Sequence, residues 1–363
     1  MTTWTGNPLL RAIHPAQPDY ETEMVTRLSQ AASEAGICLD QTAIVNFYVA
    51  LKSKPLTILT GPEQSGKIAL VQCLTRILLG GDCEQCQIML GHPWSFEKSD
   101  NVAQFTEVQM RFNTDKLLCL IEEAWQPENA HRVFIACVTR ISPAELLSFF
   151  TEVAFQLRHG QLMRLGNMHF FEPVPFPSNL FLIGTMDTQN FDWWDPDLLS
   201  QTTVIQWPKV GLLPCPFQKR ITPTGEREFL RSCLRNRQSV YHRVHSILGW
   251  QRQPLRPLFQ VEALFRAHAV PFLYSVIDEA MIYLANSWSR LGNGLFDPST
   301  SHNLSIALDL AIAQILLPRA VEAIRSMAVL PEQLQAILAG KFPRSAAFVS
   351  SLADQGLING FTG

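Results

Sequence analysis

Charge of either sign is scarce in this sequence: Lys and Arg number 29 and Asp and Glu 32, leaving a formal net charge of −3 over 363 residues. A surface devoted throughout to nucleic acid needs a marked basic excess, so that class is excluded for the molecule as a whole, though not for a local patch. Cysteine is sparse too. Eight cysteines in a chain of this length do not make a disulfide scaffold, and Cys73, Cys119 and Cys137 sit inside apolar runs, as small buried hydrophobes do. Cys83 and Cys86 have metal-like spacing with His92 nearby, but no second pair completes a four-ligand zinc set, so they read as structural thiols. No basic segment followed by an apolar run opens the sequence, and the most apolar later stretch, 304–317, is interrupted by Asp309 and stopped by Pro318. No membrane span is expected, and the chain reads as cytoplasmic. Internal repeats and low-complexity tracts are also missing.

Apolar material is present in ordinary globular proportion, 47% hydrophobic against 17% charged, in a chain too long for one small domain. Residues 1–19 carry Pro8, Pro15 and Pro18 with little periodicity and read as a surface arm. Apolar residues at helical spacing predict helices over 20–35 (Met24, Val25, Leu28, Ala31, Ala32) and 41–51 (Ile44, Val45, Phe47, Tyr48, Leu51). Strands are expected over 56–60, 87–90, 132–139, 179–185 and 202–206, with helices over 68–79, 114–125 and 143–156 between them. Such alternation predicts a three-layer α/β domain with a mostly parallel sheet. Pro208, Pro214, Pro216 and Pro223 mark a change of character. Beyond them helices are expected over 226–237, 240–248, 257–269, 271–290, 304–316 and 331–338. The chain therefore divides into an N-terminal arm and helix (1–40), the α/β domain (41–210) and a helical region (211–363).

The chemistry centres on Gly61-Pro62-Glu63-Gln64-Ser65-Gly66-Lys67, which follows the first strand, opens a helix and satisfies the pattern G-x-x-x-x-G-K. Glycines let such a loop wrap a phosphate, its N–H groups point inward, and the lysine meets the β and γ oxygens. The next position ordinarily carries a hydroxyl for Mg²⁺, but here it is Ile68, which has no oxygen to offer. A second metal ligand is expected at the end of a later apolar strand, yet Val133 to Val138 brings no carboxylate, and no Asp or Glu occurs between Glu128 and Glu145.

With these residues in hand, the chain resembles the McrB-like branch of AAA+ P-loop NTPases, the nucleotide-driven subunits of modification-dependent restriction systems and their relatives. The likeness runs in order through the approach to the loop (51–61), His92-Pro93-Trp94, the stretch 136–146, and Gly184-Thr185-Met186-Asp187-Thr188. The family reads Asp-Glu-Ile-Asn-Arg where this chain has Ala136-Cys137-Val138-Thr139-Arg140, so Ala136 replaces the metal-binding Asp and Cys137 the catalytic Glu. Asp187 stands where a neutral Asn would contact the γ-phosphate and the attacking water. The arginines expected after Asp195 are missing, and Ser275 occupies the position of an arginine in the helical lid.

The resemblance thus implies an AAA+ α/β domain with an α-helical lid, and ATP or GTP as ligand with Mg²⁺ held weakly or not at all. The missing groups imply a pseudo-ATPase, a scaffold or regulatory subunit assembling with itself or with an active AAA+ subunit. Two alternatives stand beside it: a working restriction-type motor with displaced catalytic groups, and a nucleic-acid-binding module. Lys67 either still holds phosphate or is a relic, solvated or paired with Asp187. Glu122 and Glu123 could rescue the metal site but read as a solvated helix face. Arg227, Arg231 and Arg235, four apart on a predicted helix, could meet nucleic-acid phosphates or an acidic partner, against the simpler reading of a solvated face. Trp193 and Trp194 read as packing residues.

Overall fold

A computed structural model describes residues 19–80, 84–90, 116–141, 176–187, 196–210, 225–249, 253–270 and 275–360. The predicted helix over 143–156, the tryptophans 193 and 194, Cys83 and His92 lie outside them. The first helix, α1 (Tyr20–Glu34), starts where Asp19 turns its carboxylate onto the Glu21 N–H at 3.2 Å, and it buries Met24, Val25, Leu28, Ala31 and Ala32 along one stripe. It is followed by α2 (Gln41–Ser53), β1 (Leu56–Thr60), α3 (Lys67–Leu79), β2 (Cys86–Leu90), α4 (116–125), β3 (Phe134–Thr139), β4 (Leu180–Met186), α5 (Pro196–Gln201) and β5 (Thr202–Gln206).

The strands form one all-parallel sheet in the order β2-β3-β4-β1-β5, with Thr60 level with Met186 on one side and Gln206 on the other. Every residue of β1, β3 and β4 is buried, as befits strands covered on both faces. Their side chains alternate between two cores. Leu59, Ile135, Cys137, Phe181 and Ile183 face the layer of α1, α2 and α3, while Ile58, Phe134, Ala136, Val138 and Leu182 meet Leu117, Leu120, Ile121 and Ala124 of α4. The predicted three-layer α/β arrangement is therefore present, and the parallel sheet is complete among the described strands.

The rest of the described chain is helical: α6 (Glu226–Ser232), α7 (Arg237–Leu248), α8 (Arg256–Ala267), α9 (Ser275–Asn286), α10 (Thr300–Ala311), α11 (Val321–Ser326), α12 (Val329–Leu338) and α13 (Pro343–Gly360). A π-helical turn, Ile312–Leu316, follows α10. The first core continues without a break into this part, taking in Val244, Phe265, Tyr283, Leu308 and Leu334. Among the described residues, one helical stretch, Thr300–Ser326, is long and apolar enough to cross a membrane, but 78% of its apolar window is buried inside the fold. It serves as a core helix.

The structure corrects the predicted helix over 226–237. Residues 233–236 leave the helix because the fully buried Asn286 grips Leu234 from both sides: its Oδ1 accepts from the Leu234 N–H at 3.0 Å and its Nδ2 donates to the Leu234 carbonyl at 2.8 Å. Asn236 then caps α7, accepting from the Ser239 N–H at 3.3 Å.

Candidate functional site

The site follows from the sheet order. Because β4 lies directly between β1 and β3, the residue after β4 emerges beside the loop that follows β1. The Gly61 N–H extends that ladder to the Met186 carbonyl at 3.1 Å. Left-handed backbone at Gln64 (φ 54°) and Gly66 (φ 81°) then curls the loop and launches α3.

Trp207, just past β5, holds the loop from the other side. Its N–H bonds the Thr60 carbonyl at 2.6 Å, and its indole Nε1–H donates to the Ser65 carbonyl at 2.7 Å. The backbone passes so close that a Cβ on Gly61 would lie 2.5 Å from the Trp207 carbonyl oxygen, at a φ of 153°. The Ser65 hydroxyl donates to the Pro62 carbonyl at 2.6 Å. Pro62, Glu63 and Gln64 form the outer rim, and the exposed Glu63 meets Arg140 at 2.6 Å.

Lys67 is 5% exposed and turned inward. Its ammonium donates to Asp187 Oδ1 at 2.9 Å, the Gly61 carbonyl at 2.9 Å and the Pro62 carbonyl at 2.6 Å, with Ser65 Oγ at 3.4 Å. An ammonium has three protons, and these acceptors engage all of them. The arrangement is the pairing that the sequence offered as one of two fates for this lysine. A phosphate reaching Lys67 must displace one of these acceptors, and it meets the Asp187 carboxylate as a like charge.

Ala136 and Cys137 are fully buried in the middle of β3, level with Leu182 and Ile183 of β4, on opposite faces of the sheet. They are packing residues, and burial pushes the Cys137 thiol far above its ordinary range. The end of β3 that reaches the loop is Thr139, followed by Arg140 in left-handed backbone. The Arg140 N–H donates to Thr185 Oγ1 at 3.0 Å. The site-facing end of β3 thus brings no carboxylate of its own, and the arginine that follows it is paired with Glu63. Ile68 is half-buried on the first turn of α3, and Ser275 is exposed at the start of α9. Glu122 and Glu123 are exposed on α4, so the rescue they could have offered has no support in their placement.

The arginine stripe does not hold together. Arg227 and Arg231 are exposed on α6, but Arg235 lies in the link after it. There its guanidinium donates to the carbonyls of Leu51 at 3.3 Å, Lys52 at 3.4 Å and Ser178 at 3.3 Å, and stacks 5.1 Å over the Phe181 ring. It ties α6 to the sheet and is withdrawn from any external phosphate. Among the described residues, no group of three or more His, Cys, Asp or Glu side chains gathers where it could hold a metal ion. The Cys86 thiol lies 3.6 Å from Thr75 Oγ1.

Sequence reasoning missed Arg140 and Trp207 as parts of this site. Arg140 stood in the resembling stretch itself, and its unusual role follows from a turn that only the sheet geometry reveals. No protein-family model matches the chain, and no curated protein is significantly similar to it.

Proposed function

We propose that this chain is a degenerate AAA+ pseudo-ATPase: a scaffold or regulatory subunit that keeps the shape of a nucleotide-binding module and does not hydrolyse nucleotide by itself. The observation that carries this reading is the saturated ammonium of Lys67, held by Asp187 and by two carbonyls of its own loop. The AAA+ assignment itself rests on the ordered resemblance and gains support from the adjacency of β1 and β4, which the sensor role of position 187 requires. Phosphoryl transfer depends on metal placement, a positioned water and cationic stabilisation of the transition state. Ile68 offers no metal ligand, β3 ends on Thr139 and Arg140, and Asp187 opposes the γ-phosphate charge.

ATP or GTP, if held, would sit on the loop amides of 61–67 with the lysine freed, and Mg²⁺ would find no protein carboxylate on β3. Partners on this reading are an active AAA+ subunit or further copies of the chain. The test is Mg²⁺-dependent ATP and GTP turnover of the purified protein beside Lys67→Ala. Indistinguishable, background-level rates are expected. Turnover that the substitution abolishes would overturn the proposal.

A further inference from the structure

The helical half of the molecule carries an open groove of about 500 Å³ that shares no residue with the phosphate loop. One face of α7 forms its wall, and Arg231 of α6 and Arg290, in the turn after α9, flank it. Arg231, Arg243 and Arg290 all line it, and no Asp or Glu does among the described residues.

Two acids lie near Arg243, but both are engaged elsewhere. Glu21 is paired with Lys52 and accepts the Arg290 backbone N–H at 2.7 Å; Asp19 accepts from Ser289 and from Asn293 at 2.7 Å. Arg243 spends one N–H on the Ser289 carbonyl, while its buried Nε–H has no acceptor among the described residues.

We propose that this groove binds the phosphate backbone of double-stranded nucleic acid. Guanidinium forks match phosphate oxygens. Gln238 and Ser239 add neutral donors of the kind that accompany such contacts, while the Ser246 hydroxyl donates to the Arg243 carbonyl at 2.7 Å. Leu234 is the single aliphatic side chain in the lining, and no Phe, Tyr or Trp joins it. A single strand would want aromatic stacking platforms, and an acidic peptide would want apolar anchor pockets. Neither is provided. With three arginines the binding is weak, indifferent to sequence and strongly salt-dependent, which a net charge of −3 permits because the basic character is local.

Fluorescence anisotropy of the full chain with a labelled duplex tests the idea. Three phosphate contacts weaken binding roughly 40-fold between 50 and 200 mM salt. The double variant Arg231→Ala/Arg290→Ala keeps one contact, so its affinity is lower and falls only about 4-fold over the same range. Both chosen side chains are exposed, so the fold should survive, and circular dichroism with thermal melting checks it. Lys341→Ala, an exposed lysine outside the groove, should bind like the parent.

Four results would overturn the proposal: no duplex binding at 50 mM salt, an unchanged salt slope in the double variant, an equal loss in Lys341→Ala, or stronger binding of polyglutamate or inorganic pyrophosphate than of duplex. The last would reassign the groove to an acidic peptide or to a small phosphate ligand.

Discussion

Lys67 and Asp187 stand 120 positions apart in sequence, yet parallel pairing of β1 with β4 sets their charges 2.9 Å from each other. The pair is mostly buried, 5% and 15% exposed, so water screens it little. Asp187→Asn is therefore expected to free the ammonium and remove a charge that repels phosphate, tightening ATP or pyrophosphate binding by about 2 kcal/mol, roughly thirtyfold. Calorimetry on parent and variant decides it. Equal affinities, or none in either, would mean that the loop is closed for another reason, with the Gly61 and Pro62 carbonyls the next suspects. The sequence singled out Gly61 by its place in the G-x-x-x-x-G-K pattern; what the structure shows is the close passage of Trp207, which leaves no room for a Cβ. Gly61→Ala should cost about 2 kcal/mol or more, through contact and backbone strain together, measured by urea denaturation. A neutral result there would show that the loop can shift away from Trp207. The pairing of Lys67 with Asp187 was foreseeable because a lysine and a carboxylate stood at the ends of two strands expected to lie in one sheet. Arg140 and Trp207 were not, since each acts through backbone geometry that carries no compositional mark.

Elements were read well where periodicity dominates and poorly where a tertiary contact overrides it. All of the predicted strands were found, and β1 and β5 were placed to the residue because both are short segments rich in β-branched residues, Thr57, Ile58 and Thr60 in one and Thr202 to Ile205 in the other. The helix over 226–237 failed because one buried asparagine, remote in sequence, supplies Leu234 with better hydrogen bonds than a helix would. The expected helix over 304–316 becomes α10 plus a π turn, followed at once by Pro318, which has no N–H to carry the ladder on. That turn places Gln314 so that its Nε2 donates to Asn46 Oδ1 at 2.9 Å, inside a buried polar group completed by Tyr283 at 2.6 Å. The helix α13 was not anticipated at all. Its start depends on Asp309, whose buried carboxylate accepts from the Arg344 N–H at 3.0 Å and the Ser345 N–H at 2.8 Å, a cap supplied from another helix. Asp309→Ala leaves the buried Ser345 N–H unmet and takes away the acceptor of the Arg344 N–H, so a loss of about 2–3 kcal/mol is expected. Hydrogen exchange should accelerate first over 343–352. Uniform acceleration along the chain instead would show that Asp309 supports the whole fold rather than one helix end.

Across the whole molecule, the α/β part and the helical part are joined by buried charges as well as by a shared core. Glu279 of α9 accepts at one oxygen from Lys54, between α2 and β1, and from Arg319, each at 2.7 Å. Lys54 also donates to the carbonyls of Leu199 at 2.9 Å and Thr202 at 3.2 Å, so a single ammonium ties β5 and α5 to the helices. Two cations share one anion, and removing the anion is the harsher change. Glu279→Gln should cost about 3–5 kcal/mol, whereas Lys54→Met, which leaves Glu279 paired with Arg319 and relieves a buried charge, should cost less. Burial above all, and Arg319 beside it, draw the Lys54 pKa down to about 8 from 10.5, against the opposing pull of Glu279. Between pH 8 and 10.5 the unfolded chain therefore holds a proton on Lys54 that the folded chain has released, and this group adds to the unfolding free energy as pH rises through that window. Other groups titrate there too, so the quantity to follow is the difference in unfolding free energy between parent and Lys54→Met. It should shift in the parent's favour from pH 8 to 10.5. A difference that stays flat, or moves the other way, would mean that Glu279 keeps Lys54 protonated across that window in spite of its burial.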